Sequence, residues 1–399
     1  MNNRKICTIV AVALGIVMAA TVSASVAAAI VSRNGEKSLD DWYTRLEEVR
    51  RIISTGYYKD VDDDTLMQGA IDGMLASLDD PYSFYYTPEE MAADQEEIEG
   101  KYSGIGVLVT ADDEGRLRCV RVYKNGPAYL AGLKNNDIIL SANGEPVSAA
   151  DSESLNAAVK LIKGEEGTIV TLEIDREGET LIFDVPRGSV ETEQVTYQML
   201  DDGIGYVEIV EFMGNAASGF KEALQYFKDN GARAMIVDVR NNPGGMLNEV
   251  LPICDAVLPE GVIVSMVDRN GQKVEYTSDS ECYDIPMAVL VNGSSASASE
   301  VFSGAVQDYG VAAIVGTTTF GKGIVQATYS FDDDGAGVQI TIQTYYTPLG
   351  RALHGVGVEP DVVVEQNEDY VYDYALDLEH DAQAQAAVEI LLAEIEDAA

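Results

Sequence analysis

The spacing of apolar positions changes along the chain, and each change marks a new kind of element. After Arg4-Lys5, residues 6–32 carry no charge and are dominated by Ala, Val and Ile. That run exceeds the roughly 20 residues that cross a bilayer. Apolar residues then recur at steps of three and four, first Trp42, Leu46, Val49 and Ile53, then Leu66, Ala70, Met74 and Leu78. This is the period of amphipathic helices. Asp80-Pro81 and Thr87-Pro88 break the pattern, and Pro88 opens a further helix. From Ser103 the texture turns to short strands and tight turns. Strands are expected at 116–122 and 137–140, with a hairpin of 168–174 and 180–185 around Glu177-Gly178. A short helix opens at Gly126-Pro127-Ala128, and Leu155, Val159 and Ile162 mark an amphipathic one. From Gly205 strand and helix alternate, with strands at 206–210, 235–239, 287–291 and 312–315 and helices at 216–227 and from Ser297. Two strands, 324–331 and 337–345, then flank a turn at Asp332-Asp333-Asp334-Gly335. Ala384, Val388, Leu391, Leu392 and Ile395 close the chain with a helix whose one apolar face must dock on something.

Composition narrows the classes. The 399 residues are 46% hydrophobic, enough for real cores and for two or three domains. A formal net charge of −41, from 67 acidic and 26 basic residues, argues against nucleic-acid binding. The acidic turn at 332–335 lacks the alternating ligands of a calcium loop. Cys7, Cys119, Cys254 and Cys282 show no paired spacing, so neither a zinc site nor a disulfide framework is indicated. The basic pair before the apolar run favours an N-terminus inside and the remainder outside, as a retained anchor. The small residues at 23–25 and 27–29 leave a cleaved signal peptide as the alternative. Either way the working part is exported.

Candidate chemistry gathers between residues 289 and 326. A strand ends at Asn292-Gly293, and small residues lead into a helix near Ser297, placing a hydroxyl where unpaired N–H groups favour negative charge. Ser297-Ala298-Ser299-Glu300 also fits a capping box, in which the serine merely caps its helix. The next strand ends in Gly-Thr-Thr-Thr-Phe-Gly-Lys-Gly, presenting Lys322. Gly316 to Lys322 matches a phosphate-binding loop, but Gly323 replaces the magnesium-binding hydroxyl and a strand follows rather than a helix. Arg240-Asn241-Asn242-Pro243-Gly244-Gly245 leaves another strand, and its glycines let backbone N–H groups approach a ligand. Only two histidines exist. His380 lies among acids, and the surroundings of His354 offer no support for a histidine triad. A serine enzyme here needs another base.

Residues 101–188 resemble a PDZ domain, through Gly104-Ile105-Gly106-Val107 and the Gly-Pro-Ala…Ala-Gly-Leu…Asp-x-Ile-Leu…Asn-Gly run. In such a loop consecutive N–H groups can hold a chain-terminal carboxylate while the peptide adds as a strand. With Asn-x-x-Ser-Ala-Ser-Ala-Ser-Glu and Thr-Phe-Gly-Lys-Gly-x-Val-Gln, the chain resembles the carboxy-terminal processing peptidases, or tail-specific proteases. Tyr-Tyr-Thr-Pro-x-Gly-Arg and Gly-Val-Gly-Val-Glu-Pro-Asp carry the likeness over nearly the whole exported chain. The resemblance implies Ser297 as nucleophile, Lys322 as general base and Gln326 as the partner orienting the lysine. Burial would have to depress the lysine's pKa, and a neutral Gln326 amide on the same strand face would not restore its charge. The N–H of Ala298 and that of Gly244 or Gly245 would hold the oxyanion.

The expectation is therefore a mixed α/β fold: residues 1–37 as membrane anchor or signal, 38–100 helical, 101–188 PDZ, 189–365 a βαβ-type serine–lysine peptidase core, and 366–399 a C-terminal helical segment. It is expected to act on protein substrates with apolar C-termini, to need no metal or other cofactor, and to sit in the cell membrane with its working part outside. The resemblance further implies PDZ gating, an activating partner protein and a homodimer built by the terminal helices. A catalytically silent PDZ scaffold is the rival reading.

Overall fold

A computed structural model describes residues 38–112, 114–123, 126–367, 370 and 376–397. These fall into two compact units that meet between Asp79 and Asp80. The first contains helix α1 (Leu39–Gly56) and helix α2 (Asp63–Ala76). Ser38 and Asp41 form a capping box that starts α1, and Asp62 caps α2 through the Thr65 N–H. The expected apolar stripe on α1 is present, but Leu39, Trp42, Leu46 and Val49 are exposed. Residues 6–32 lie outside the described residues, and no helix among those described is long and apolar enough to cross a membrane.

The second unit opens with β1 (Phe84–Tyr86) and α3 (Pro88–Glu99). The expected PDZ region follows: β2 (Lys101–Gly104), β3 (Val107–Ala111), β4 (Leu117–Val122), α4 (Pro127–Ala131), β5 (Ile138–Ala142), β6 (Glu145–Pro146), α5 (Ser152–Ile162), β7 (Ile169–Arg176), β8 (Glu179–Pro186) and β9 (Gly188–Glu191). Its sheet runs β3-β4-β5-β7-β8, so β3 has one free edge. Val107 and Val109 of β3 share one core with Leu155, Ala158 and Ile162 of α5. A short ribbon of β2 and β9 closes the insertion at its neck.

The remaining strands build two sheets. The larger runs β10 (Val195–Met199), β11 (Ile204–Ile209), β12 (Ala234–Asp238), then past α6 (Ala216–Asp229), α7 (Leu247–Asp255), β13 (Gly261–Asp268) and β14 (Lys273–Ser278) in sequence to β15 (Met287–Val291). After α8 (Ala298–Tyr309) it adds β16 (Ala313–Gly316) and, at the far edge, β19 (Val362–Val363). All neighbours from β11 onward are parallel. Parallel strands are covered on both faces, which is why these read as continuous apolar runs. Period two divides them: Val207, Val237 and Val289 meet α6, α7 and α8 in one core, whereas Tyr206, Ile236, Ala288 and Leu290 face the other. That second face is covered by α9 (Ala382–Asp397), whose Ala384, Ala387 and Leu391 are fully buried. The apolar stripe read in the last segment thus docks on the chain's own sheet. A second, antiparallel sheet joins β1, β13 and β14 to the hairpin of β17 (Ile324–Ser330) and β18 (Gly337–Tyr346).

Candidate active site

Ser297 stands at the N-terminus of α8 with φ +55° and ψ −113°. A non-glycine residue rarely adopts this backbone, and it persists only where its surroundings enforce it. It forms a capping box with Glu300, whose carboxylate accepts the Ser297 N–H at 2.9 Å. The capping box read from the sequence is thus present, on a backbone strained beyond what a cap requires.

The enforcing group is Glu300, a residue that pattern reading treated only as half of that box. Its carboxylate is fully buried and accepts four hydrogen bonds. One oxygen takes the Thr319 hydroxyl at 2.6 Å and the Gly321 N–H at 2.7 Å; the other takes the N–H of Ser297 at 2.9 Å and of Lys322 at 2.8 Å. One side chain thus clamps the serine turn to the lysine loop. It also occupies the N–H groups that a phosphate would need, and β17 follows in place of a helix, so the phosphate-loop alternative fails. Tyr345 adds a second tie, its hydroxyl reaching the carbonyls of both Ser297 and Lys322. The Thr319 hydroxyl also accepts the Val358 N–H at 2.7 Å, through which the Gly-Val-Gly-Val loop braces the lysine. His354 packs its backbone against Gly323 and leaves its side chain exposed.

The glycine loop is stitched to the serine loop just as closely. Asn241 and Asn292 exchange hydrogen bonds of 3.0 and 2.9 Å, and the Asn242 carbonyl accepts the Ala296 N–H and the Ser299 hydroxyl. A Cβ on Gly244 would lie 2.7 Å from the Ser297 Cβ, so only glycine permits this approach. The two glycines differ in what their N–H groups do. That of Gly244 is taken by the Asn242 side chain at 2.8 Å. Gly245 bridges Phe212 through its neighbours, with Phe212 N–H on the Gly244 carbonyl and Met246 N–H on the Phe212 carbonyl. In a parallel bridge this turns the Gly245 N–H the other way. Among the described residues neither it nor the Ala298 N–H donates to a protein group.

Gly244, Gly245, Ser297, Ala298, Lys322 and Gln326 all line one cavity of about 580 Å³, with Leu247, Val250, Met266, Val301 and Ile324 as its apolar wall. Within it Lys322 carries its amine over an aromatic ring. Its Nζ lies 4.6 Å from the centre of the Tyr82 ring, and Gln326 donates to the Thr341 hydroxyl at 3.1 Å, not to the lysine. Burial pulls the lysine's pKa below its usual value, against the charges of Asp80 and Glu300, which favour the ammonium. The direction is the one a general base needs.

Arg240, which opens the glycine loop, is the centre of a buried ionic cluster. It pairs with Asp238 at 2.6 Å and with Asp381 at 2.7 Å, both carboxylates being fully buried. Asp381 also accepts the Ala384 N–H in the first turn of α9. The last helix is thereby tied to the loop beside the serine.

In the PDZ-like region Gly104 ends β2 and Val107 begins β3, with Ile105 buried between them and Gly106 at φ +80°. The Ile105 and Gly106 carbonyls are taken by Ala128 and Tyr123 N–H groups. The Gly106 and Val107 N–H groups face the Tyr102 hydroxyl, whose pKa is raised chiefly by burial.

Comparison with known proteins agrees with this geometry. Residues 203–364 match the model of peptidase family S41, residues 119–176 that of a PDZ domain, and residues 13–90 that of the N-terminal domain of the activating protease CtpB. The chain belongs to peptidase family S41. It is 34% identical over 330 residues to a probable CtpA-like serine protease of Staphylococcus saprophyticus, covering 82% of this chain and 66% of that one. A protein of the same description from Staphylococcus aureus is also 34% identical, over 80% of this chain and 64% of its own. The match thus spans about two thirds of these relatives' length. Among solved structures, a photosystem II D1 C-terminal processing protease superposes with a TM-score of 0.51 at 26% identity, covering 84% of this chain and 95% of that one. A putative S41 protease from Bacteroides fragilis shares the fold, with a TM-score of 0.58 at 14% identity over 90% of this chain and 99% of its own. The serine-protease class expected from sequence is thus found again in the relatives, and the expected PDZ domain in the family match over residues 119–176.

Proposed function

We propose that the chain is an exported serine-type endopeptidase that receives apolar C-terminal tails on its PDZ domain and cleaves the same proteins at Ser297. The observation that carries this is the single cavity holding Ser297, Lys322, Gln326 and two N–H groups, of Gly245 and Ala298, without protein partners. In this reading neutral Lys322 takes the Ser297 Oγ proton as Oγ attacks a peptide carbonyl. The N–H groups of Gly245 and Ala298 hold the oxyanion, and the lysine returns its proton to the departing amine. Water then resolves the acyl-enzyme. Gln326 orients the lysine once it has turned to the serine. Gly244 serves the close approach, its own N–H being occupied by Asn242.

The tail lies along the free edge of β3, with its carboxylate at the N–H groups of Ile105, Gly106 and Val107 and its side chains against Val107, Val109 and Leu155. The resting positions of Lys322 and Gln326 suit a peptidase that waits for a substrate or an activating partner, and the match to the CtpB N-terminal domain points the same way. Residues 6–32 serve as its membrane anchor, with the peptidase outside. A homodimer forms through the exposed stripe of α1.

The test uses an unfolded protein ending in an apolar tail, the same protein with a charged tail, and one with an amidated C-terminus. Cleavage of the first alone, lost in both Ser297→Ala and Lys322→Ala, is expected. Cleavage surviving Ser297→Ala refutes the nucleophile; tight tail binding with no cleavage in any condition favours a scaffold.

A further inference from the structure

The turn at residues 80–83 has no part in the acyl transfer derived above, yet it is built rigidly against the lysine. The Asp80 carboxylate accepts the Tyr82 N–H at 3.0 Å and the Ser83 hydroxyl at 2.6 Å. Ser83 Oγ accepts the Thr341 N–H at 3.0 Å, and Gln339 donates to the Tyr82 carbonyl at 3.2 Å. The turn is therefore fixed to β18 without help from the Tyr82 ring. That ring points its face at the Lys322 ammonium, 4.6 Å from its centre. A cation held so is attracted by the ring's quadrupole, most strongly where water is scarce. A neutral amine gains little from the same contact.

We propose that Tyr82 is a positioning residue for Lys322: its ring holds the lysine as an ammonium, and the lysine must shed a proton and leave the ring before it can act as base. This rests on reading Ser297 and Lys322 as nucleophile and base. The charged and titratable groups facing the lysine come from several elements. Asp80 lies in the turn itself, Glu300 in α8, Tyr345 in β18, and Asp94 and Glu211 elsewhere on the cavity wall, while His354 acts on Asp80 from the following loop. Asp80 and Glu300 support the ammonium as the ring does, and burial opposes it. The ring acts through its π face and not through a formal charge. Changing it alters the lysine's balance without altering the net charge of the site.

The test compares Tyr82→Leu, which removes the π face, with Tyr82→Phe, which keeps it. In full-length chains carrying Ser297→Ala, Lys322 is labelled with an amine-reactive reagent across pH, and modification of that residue is read by mass spectrometry. Relative to its own alkaline plateau, Tyr82→Leu is expected to label roughly three- to tenfold faster on the acid side, with Tyr82→Phe following the parent. With Ser297 intact, kcat/KM on the acid limb is expected to rise by a similar factor in Tyr82→Leu alone. A parental pH dependence in Tyr82→Leu, or a change in Tyr82→Phe as large as in Tyr82→Leu, overturns the proposal. If labelling moves as expected but no variant cleaves in a Ser297-dependent way, the positioning role stands and the peptidase reading falls.

Discussion

Replacing Glu300 by glutamine changes one atom type and should disable the site. The carboxylate accepts four donors, two on each oxygen, at 2.6 to 2.9 Å. An amide keeps one oxygen and turns an NH2 group toward the other two donors. Hydrogen bonds to a buried charge contribute about 1.5–3 kcal/mol each, so losing two costs about 3–6 kcal/mol. That is a large part of the roughly 5–15 kcal/mol that holds a folded domain together. Calorimetric unfolding of Glu300→Gln should fall by at least about 6 °C. The damage has an address, because the donors include the N–H groups of Ser297 and Lys322. Displacing either by about 1 Å should lower kcat roughly a hundredfold even where the chain is still folded. A third effect has its own sign. The Glu300 charge favours the lysine's ammonium, so its removal lowers the Lys322 pKa further and moves the acid limb of any residual activity to lower pH. A variant that melts within about 1 kcal/mol of the parent and keeps its kcat would refute the clamp.

Two further predictions follow from local geometry. Ser297→Gly should abolish turnover while raising stability by about 0.5–2 kcal/mol in denaturant unfolding, since glycine accepts φ +55° and ψ −113° without strain and replacing a serine cap by glycine costs only a few tenths of a kcal/mol; a destabilised variant would contradict this. Asp381→Asn removes one buried carboxylate from Arg240 and should cost about 3–5 kcal/mol. Burial pushes the Asp381 carboxyl up, but Arg240 more than offsets it and the net shift is downward. Its contribution is therefore complete above the unfolded carboxylate value near pH 4 and disappears as pH falls through the lower folded value. The stability gap between parent and Asp381→Asn should shrink in acid, and a gap that widens there would contradict the assignment.

Much of the core was legible because its strands are buried on both faces and its motifs lie within a few residues of one another. The strand ending at Asp238, the turn at Gly244-Gly245 and the serine and lysine loops needed only local pattern. What escaped was non-local. The strand at 261–268 is buried through four consecutive residues and that at 273–278 is mostly exposed, so no clean alternation announced either. Glu300 was visible as the fourth letter of a capping box, but three of its four donors come from a loop 19 to 22 positions away. Nothing in Arg240 names Asp381 as its partner, 141 positions distant. The choice between Gly244 and Gly245 depends on which N–H a neighbouring side chain consumes, a fact of geometry that two identical letters cannot hold.

The tie between Arg240 and Asp381 also sets an order of events during synthesis. The serine, the lysine and both glycines have left the ribosome well before Asp381 is made. Until then Arg240 lacks the Asp381 carboxylate, and the sheet face that α9 covers is bare. A growing or prematurely terminated chain therefore holds every letter of the site without its final brace. The loop beside the serine therefore gains this brace only once the chain has been made through Asp381.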